Sequence, residues 1–132
     1  TMSTQEVTAT AYQRTIICLA GVIAAGIGLA ITFVPNAFYA SYGISIGADP
    51  NLLSELRAPG ANLAVLGAVM IAGAARSHWF ATARLLAILV FFAFAAGRVV
   101  SLGIDGTPNP SILSALAIEV VIGVVLLLTT RR

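Results

Sequence analysis

The sequence predicts an all-α integral membrane four-helix bundle, and three observations carry that reading. Of its 132 residues, 59% are hydrophobic and only 9% charged, where a soluble domain carries about 25% charged residues. Mean hydropathy is +1.00. Four apolar segments, at 13–34, 51–75, 80–103 and 111–130, each approach or exceed the ~20 residues that cross a hydrocarbon core. The length fits a single transmembrane domain covering 1–132.

The first segment is closed by Pro35 and Asn36. Ala37-Phe38-Tyr39-Ala40 loosely resembles a signal-peptide cleavage site, but the apolar run before it exceeds the ~7–15 residues of a signal core. It is expected to span. The connection from 35 to 50 is the longest, and its Phe38, Tyr39 and Tyr42 read as interfacial aromatics.

The second segment has a defined start. Asp49 can cap it and Pro50 suits the first helical position. Pro59 then falls inside, where its missing N–H leaves the Glu55 carbonyl without a helical donor and predicts a kink. A start at Pro59 would leave a helix near the lower limit for a span, so the longer helix is expected.

Arg76-Ser77-His78 separates the second and third segments, and Asp105 to Pro110 ("DGTPNP") separates the third and fourth. His78 beside Trp79 reads as an interfacial anchor, and Cys18 as a small packed residue. Small residues recur at helical spacing in Gly21/Ala25, Ala24/Gly28, Ala64/Ala68 and Ala93/Gly97, which suits close helix packing in lipid.

Arginine placement predicts orientation. Arg14, Arg76, Arg84, Arg131 and Arg132 fall on one side of four spans, while the opposite loops hold Asp49 and Asp105. The positive-inside rule places both termini in the cytoplasm of a bacterial-type inner (plasma) membrane. The pI near 9.2 then reflects arginine at membrane edges. No basic stripe interleaved with aromatics points to a nucleic-acid partner.

One cysteine and one histidine leave almost no ligands for a metal, haem or other prosthetic group. No metal site and no cofactor are expected.

The charges inside the spans are the informative residues. Glu55 and Arg57 lie in the first turns of the second segment, and Asn62 shares a face with Glu55 by i, i+7. In the third segment Arg98, Ser101 and Asp105 recur at i, i+3 and i+7. Glu119 lies roughly 12 Å into the fourth segment, and Arg98 roughly 8 Å inside the third. Depth makes Arg98 and Glu119 the expected pair. Intramembrane ionisable residues cost about 2.5–3.5 kcal/mol each at a helix centre and normally face the bundle interior. A polar cluster of Glu55, Arg57, Asn62, Arg98, Ser101, Asp105 and Glu119 is therefore expected in the outer half. Its acids Glu55, Asp105 and Glu119 exceed its arginines by one charge, which calls for a protonated carboxyl or a bound cation or polar ligand.

At these residues the chain resembles a known family. "SELRAPGANLAVLGAVM", "GRVVSLGIDGTPNP" and the glutamate of "ALAIEVVIGVVLLL" resemble the small four-helix membrane proteins of the domain-of-unknown-function family 4345, itself distantly similar to the DoxX-like bundles. The resemblance implies the four-helix fold and points to Glu55, Arg57, Gly60, Arg98, Ser101, Asp105, Gly106 and Glu119. Pro59 departs from the family's pattern. No reaction is implied.

Three functions remain open at this stage. The cluster could bind a lipid-like or other apolar small molecule by its head group. The chain could be an accessory subunit of a larger membrane complex, packed against other membrane subunits. It could also perform acid–base chemistry on a lipid-like substrate, with Glu119 as proton donor and Glu55 as base. Salt bridges that merely pin helix register are the bland alternative. Binding or assembly is preferred over catalysis.

Overall fold

Thr10 sets the first boundary. Its hydroxyl accepts from the Gln13 backbone at 3.1 Å, and the Gln13 side chain accepts from the Thr10 backbone at 3.0 Å, so two otherwise unmatched N–H groups satisfy one another's residues. In the computed structural model, which describes residues 10–129, helix α1 runs from this cap over Ala11–Phe33. Val34, with φ −135°, breaks it. Pro35 then occupies the first position of a short second helix, α2, Pro35–Ala40, where a missing N–H costs nothing. The connection read from sequence as a loop thus begins with a helical turn.

Helix α3 covers Pro50–Ala75. Asp49 accepts from the Asn51 backbone at 3.0 Å, and Pro50 takes the first turn, as the sequence predicts. Pro59 stands inside α3 and the helix continues through it. A 3-10 turn at Ser77–Trp79 leads into α4, Phe80–Asp105. Gly106, at φ +99°, ends α4 in a backbone conformation that side chains other than glycine rarely adopt. Asn109 then accepts from the Ile112 backbone at 3.1 Å and opens α5, Pro110–Thr129.

Helices α1, α3, α4 (with its preceding turn) and α5 are each long and apolar enough to cross a membrane. Lipid gives no hydrophobic drive between helices, so close packing must hold them. The tightest seam joins α1 to α3. A Cβ on Gly67 would lie 2.7 Å from the Gly21 carbonyl oxygen, and one on Gly28 would lie 2.6 Å from that of Gly60. Gly21, Ala25, Gly28 and Ala64 of the small-residue pairs meet on this seam. Ala93 and Gly97 do not: nothing stands within 4 Å of a Cβ built on Gly97.

Side chains at one end lock the register. Arg14 donates to the Ala74 carbonyl at 2.8 Å and to the Ser77 hydroxyl at 3.0 Å, where the exposed carbonyls of a helix C-terminus favour a cation. Gln13 donates to the Thr129 carbonyl at 2.7 Å. The start of α1, the end of α3, the start of α4 and the end of α5 therefore share one end of the bundle. The Arg14 and Arg84 guanidinium carbons lie 5.8 and 5.9 Å from the Phe80 ring centre, and that of Arg76 lies 5.4 Å from Trp79. Cys18 packs, half-buried, against the core. Arg131 and Arg132, which entered the orientation argument, lie outside the described residues.

Candidate functional site: a groove walled by α1, α4 and α5

Ile17 and Leu126 are fully buried near the Arg14 end. Toward the opposite end, α1, α4 and α5 leave a cavity of about 900 Å³ between them. Its walls follow from helical spacing. Ile23, Ile27 and Ile31 present one face of α1. Val90, Phe94, Gly97 and Ser101 fall at i, i+4, i+7 and i+11 on α4. Ile112, Leu116 and Glu119 do the same on α5. Ala93 and Gly97, expected from sequence to pack against a helix, instead leave room in this groove.

Arg98 and Glu119 are the charged side chains among its lining residues. Arg98 Nε donates to Glu119 Oε1 at 2.7 Å and Nη2 donates to Oε2 at 3.0 Å. The side chains are 28% and 13% exposed. The forked geometry matches a guanidinium to a carboxylate and fixes both orientations. Arg98 Nη1 retains donors that no residue among those described accepts.

The α2 region roofs this end. Phe38 packs edge-on against both Tyr39 and Tyr42, at 5.1 and 5.2 Å between ring centres, and all three line the groove. Ile44 N–H donates to the Tyr39 carbonyl at 2.9 Å, and Asn109 donates to the Tyr42 carbonyl at 2.7 Å, tying the roof to the start of α5. Gly43 turns the chain at φ +77° beside Asn109. Burial pushes the Tyr39 phenol above its ordinary value of 10.0; the Arg98 charge opposes the shift and Tyr42 adds to it. Tyr39 is thus a neutral hydroxyl across the ordinary pH range, near a guanidinium.

The seven expected cluster residues do not converge. Arg98, Ser101 and Glu119 line the groove. Ser101 also donates to Asp105 at 2.8 Å, and Asp105 lies exposed at the end of α4. Arg57 crosses to α1 and donates to the Thr32 carbonyl, capping the α1 C-terminus. Glu55 and Asn62 share a face, as their spacing predicts, but that face of α3 is exposed. The spacing fixes a common face and says nothing about which way it turns. The charge excess expected of the cluster therefore does not arise in the groove, where one cation meets one anion. Nor is Glu55 brought to Glu119, so the acid–base pair of the enzymatic reading is not assembled.

Sequence reasoning missed the roof and the apolar walls. Tyr39 and Tyr42 were read as interfacial aromatics, a role that the same residue types fill without a groove beneath them. A signal was present in α4, where Gly97 adjoins Arg98 and Ala93 lies one turn before Gly97. Small residues beside an intramembrane charge can mark space as well as contact.

The model of a family described as "Domain of unknown function (DUF4345)" matches residues 12–130 of the chain. No curated protein and no solved structure matches it.

Proposed function

We propose that this chain, which belongs to the DUF4345 family, is a membrane-embedded binding protein that takes the body of an apolar small molecule into the α1/α4/α5 groove. The molecule's polar head lies against Arg98, Glu119 and Tyr39. One observation carries the reading: a bidentate ion pair is set into the wall of an otherwise apolar groove of about 900 Å³. Small-molecule sites typically measure roughly 300–1,000 Å³ and combine apolar walls with few polar groups.

The polar groups also suggest the class of head group. The Arg98 and Glu119 charges cancel, so no net charge attracts an ion. The remaining donors include Arg98 Nη1 and the hydroxyls of Tyr39 and Tyr42, which suits a neutral head with carbonyl, ester or ring-oxygen acceptors. A quinone-like ring or an acylglycerol has this chemistry. The lipid bilayer is the medium that supplies it. The positive-inside rule, applied to Arg14, Arg76 and Arg84 at one end, sets that end in the cytoplasm and opens the groove toward the other side of an inner membrane.

Thermal unfolding of the purified protein tests this with defined probes. A ligand that binds the folded form alone raises the midpoint with concentration. A monoacylglycerol or a short-chain quinone is expected to raise it, and a fatty acid at a pH where it is ionised is expected to raise it less. The double variant Arg98→Met/Glu119→Leu should abolish the response. Equal responses from the wild type and this variant would refute the assignment.

A further inference from the structure

The groove is closed at one end, roofed at the other and open along one side. At the Arg14 end, Gln13 of α1 donates to the Thr129 carbonyl of α5 at 2.7 Å, and Ile17 and Leu126 are fully buried. Helices α1 and α5 touch little elsewhere. Helix α3 packs along α1, α4 packs on α3, and α5 packs on α4, so the ring of four helices is left incomplete between α1 and α5. Phe38, Tyr39 and Tyr42 cover the far end, where Asn109 ties them to the start of α5.

Exposure locates the opening. Residues that line a sealed cavity are hidden from outside. Ile23 on α1, Phe94 on α4 and Ile118 on α5 line this one, yet they are 39%, 43% and 56% exposed. Ile23 lies ten residues before Phe33, and Ile118 eight after Pro110, hence roughly 15 and 12 Å from those helix ends. Both walls of the gap therefore face lipid at comparable depth, below the interface.

We propose that the gap between α1 and α5 is a lateral portal, through which the ligand passes between the surrounding leaflet and the groove without crossing water. The traffic rests on the binding role proposed above; the opening itself does not. Entry at this depth selects the passenger. A molecule that reaches Arg98 and Glu119 from the side must carry its head beneath the interface, and an ionised head in hydrocarbon is costly. A small uncharged head on an apolar body can make the passage. A phospholipid can insert a chain but keeps its phosphate at the interface. The passenger class is thus a neutral lipid already dissolved in the bilayer, and acyl chains of the leaflet are the groove's resting content, since they suit the same apolar walls.

The test uses the full chain in phosphatidylcholine vesicles at a low protein-to-lipid ratio. Trp79→Phe removes the native tryptophan, and Phe94→Trp places a reporter on the groove floor. Cys18→Ser with Ile23→Cys and Ile118→Cys supplies two thiols for bis-maleimides of graded length to bridge. Phospholipid brominated on its acyl chains is expected to quench the reporter, and the bridge to abolish that quenching. A Leu89→Trp reporter, on the outer face of α4, should be quenched equally with and without the bridge, which also shows that the fold survives it. Monoacylglycerol should displace the chains and relieve quenching at Phe94→Trp in the unbridged protein. Thiols that no reagent bridges, an unquenched Phe94→Trp reporter, or quenching that survives the bridge would each overturn the portal. Quenching that the bridge abolishes but monoacylglycerol does not relieve would support the portal and contradict the binding role, so the two failures are distinguishable.

Discussion

Arg98 and Glu119, 21 positions apart in sequence, meet across the α4–α5 seam with both carboxylate oxygens accepting from one guanidinium, at 2.7 and 3.0 Å. The pair does two jobs at once. It fixes the register of two helices that share few other polar contacts, and it places a neutral polar patch in the wall of an apolar groove. Partial exposure weakens the first contribution, because screening reduces what an accessible ion pair is worth.

Removing one partner should therefore harm the fold more than removing both. Arg98→Met or Glu119→Leu alone leaves a charge facing an apolar groove, at an expected cost of roughly 1–2 kcal/mol once the exposure of Arg98 is allowed for. The double variant should lie closer to the wild type than either single one. Thermal unfolding of the four proteins in one detergent measures this. Strict additivity would show that the pair is not an energetic unit.

The glycines make an opposed pair of predictions. Gly67→Val drives a side chain into the α1 backbone, where even a Cβ would lie 2.7 Å from the Gly21 oxygen. The expected loss is about 1–3 kcal/mol or more. At Gly97 a Cβ would meet nothing within 4 Å, so Gly97→Val should leave the unfolding midpoint nearly unchanged while reducing the groove's volume and probe response. If both variants behaved alike, the assigned packing of α4 would be wrong.

Tyr39 supplies a pH signature. Burial disfavours the phenolate, so Tyr39 should ionise above the ordinary value of 10.0. Its neutral form is the one the fold prefers. Stability should accordingly be unaffected below pH 10 and should fall as pH rises from there through the folded-state value, because the unfolded chain ionises first. Absorbance titration of the wild type against Tyr39→Phe isolates the group. Replacing Arg98 with Met removes the opposing charge and should move the midpoint further up.

The roof is held by a contact that can be cut without touching the groove's charges. Asn109→Ala loses the donor to the Tyr42 carbonyl, 2.7 Å away, and the acceptor for the Ile112 backbone. A helix-cap change of this type costs about 1 kcal/mol. Hydrogen exchange should rise in residues 41–49 and at the start of α5, with α1 and α3 unchanged. Exchange confined to the start of α5 would mean that Asn109 does not hold the roof.

Much of this architecture is legible in the residues. Asp49 and Pro50 announce the start of α3, and the depths of Arg98 and Glu119 along their segments identify their pairing. Both signals are local or one-dimensional: a cap needs only neighbours, and depth needs only a count from the helix end. The disposition of Glu55 and Asn62 is different. Their i, i+7 spacing states that they share a face, but the turn of that face is fixed by the glycine seam on the other side of α3, where Gly60 and Gly67 meet α1. Arg57 illustrates the same limit, since its acceptor is a backbone carbonyl that no side-chain pattern advertises. The helical turn at Pro35–Ala40 was hidden by reading proline as a terminator when it also starts helices.

The central claim is that the groove holds an apolar molecule, and its occupant can be counted. Protein extracted gently from its own membrane, digested and then extracted with organic solvent can be analysed by mass spectrometry for small molecules per chain. Gly97→Leu, which fills the groove, and Arg98→Met/Glu119→Leu, which removes its polar patch, are treated identically. The account predicts one apolar species in near-stoichiometric amount with the wild type and depleted from both variants. A wild type that carries only the lipids found with the two variants, in the same proportions, would contradict it.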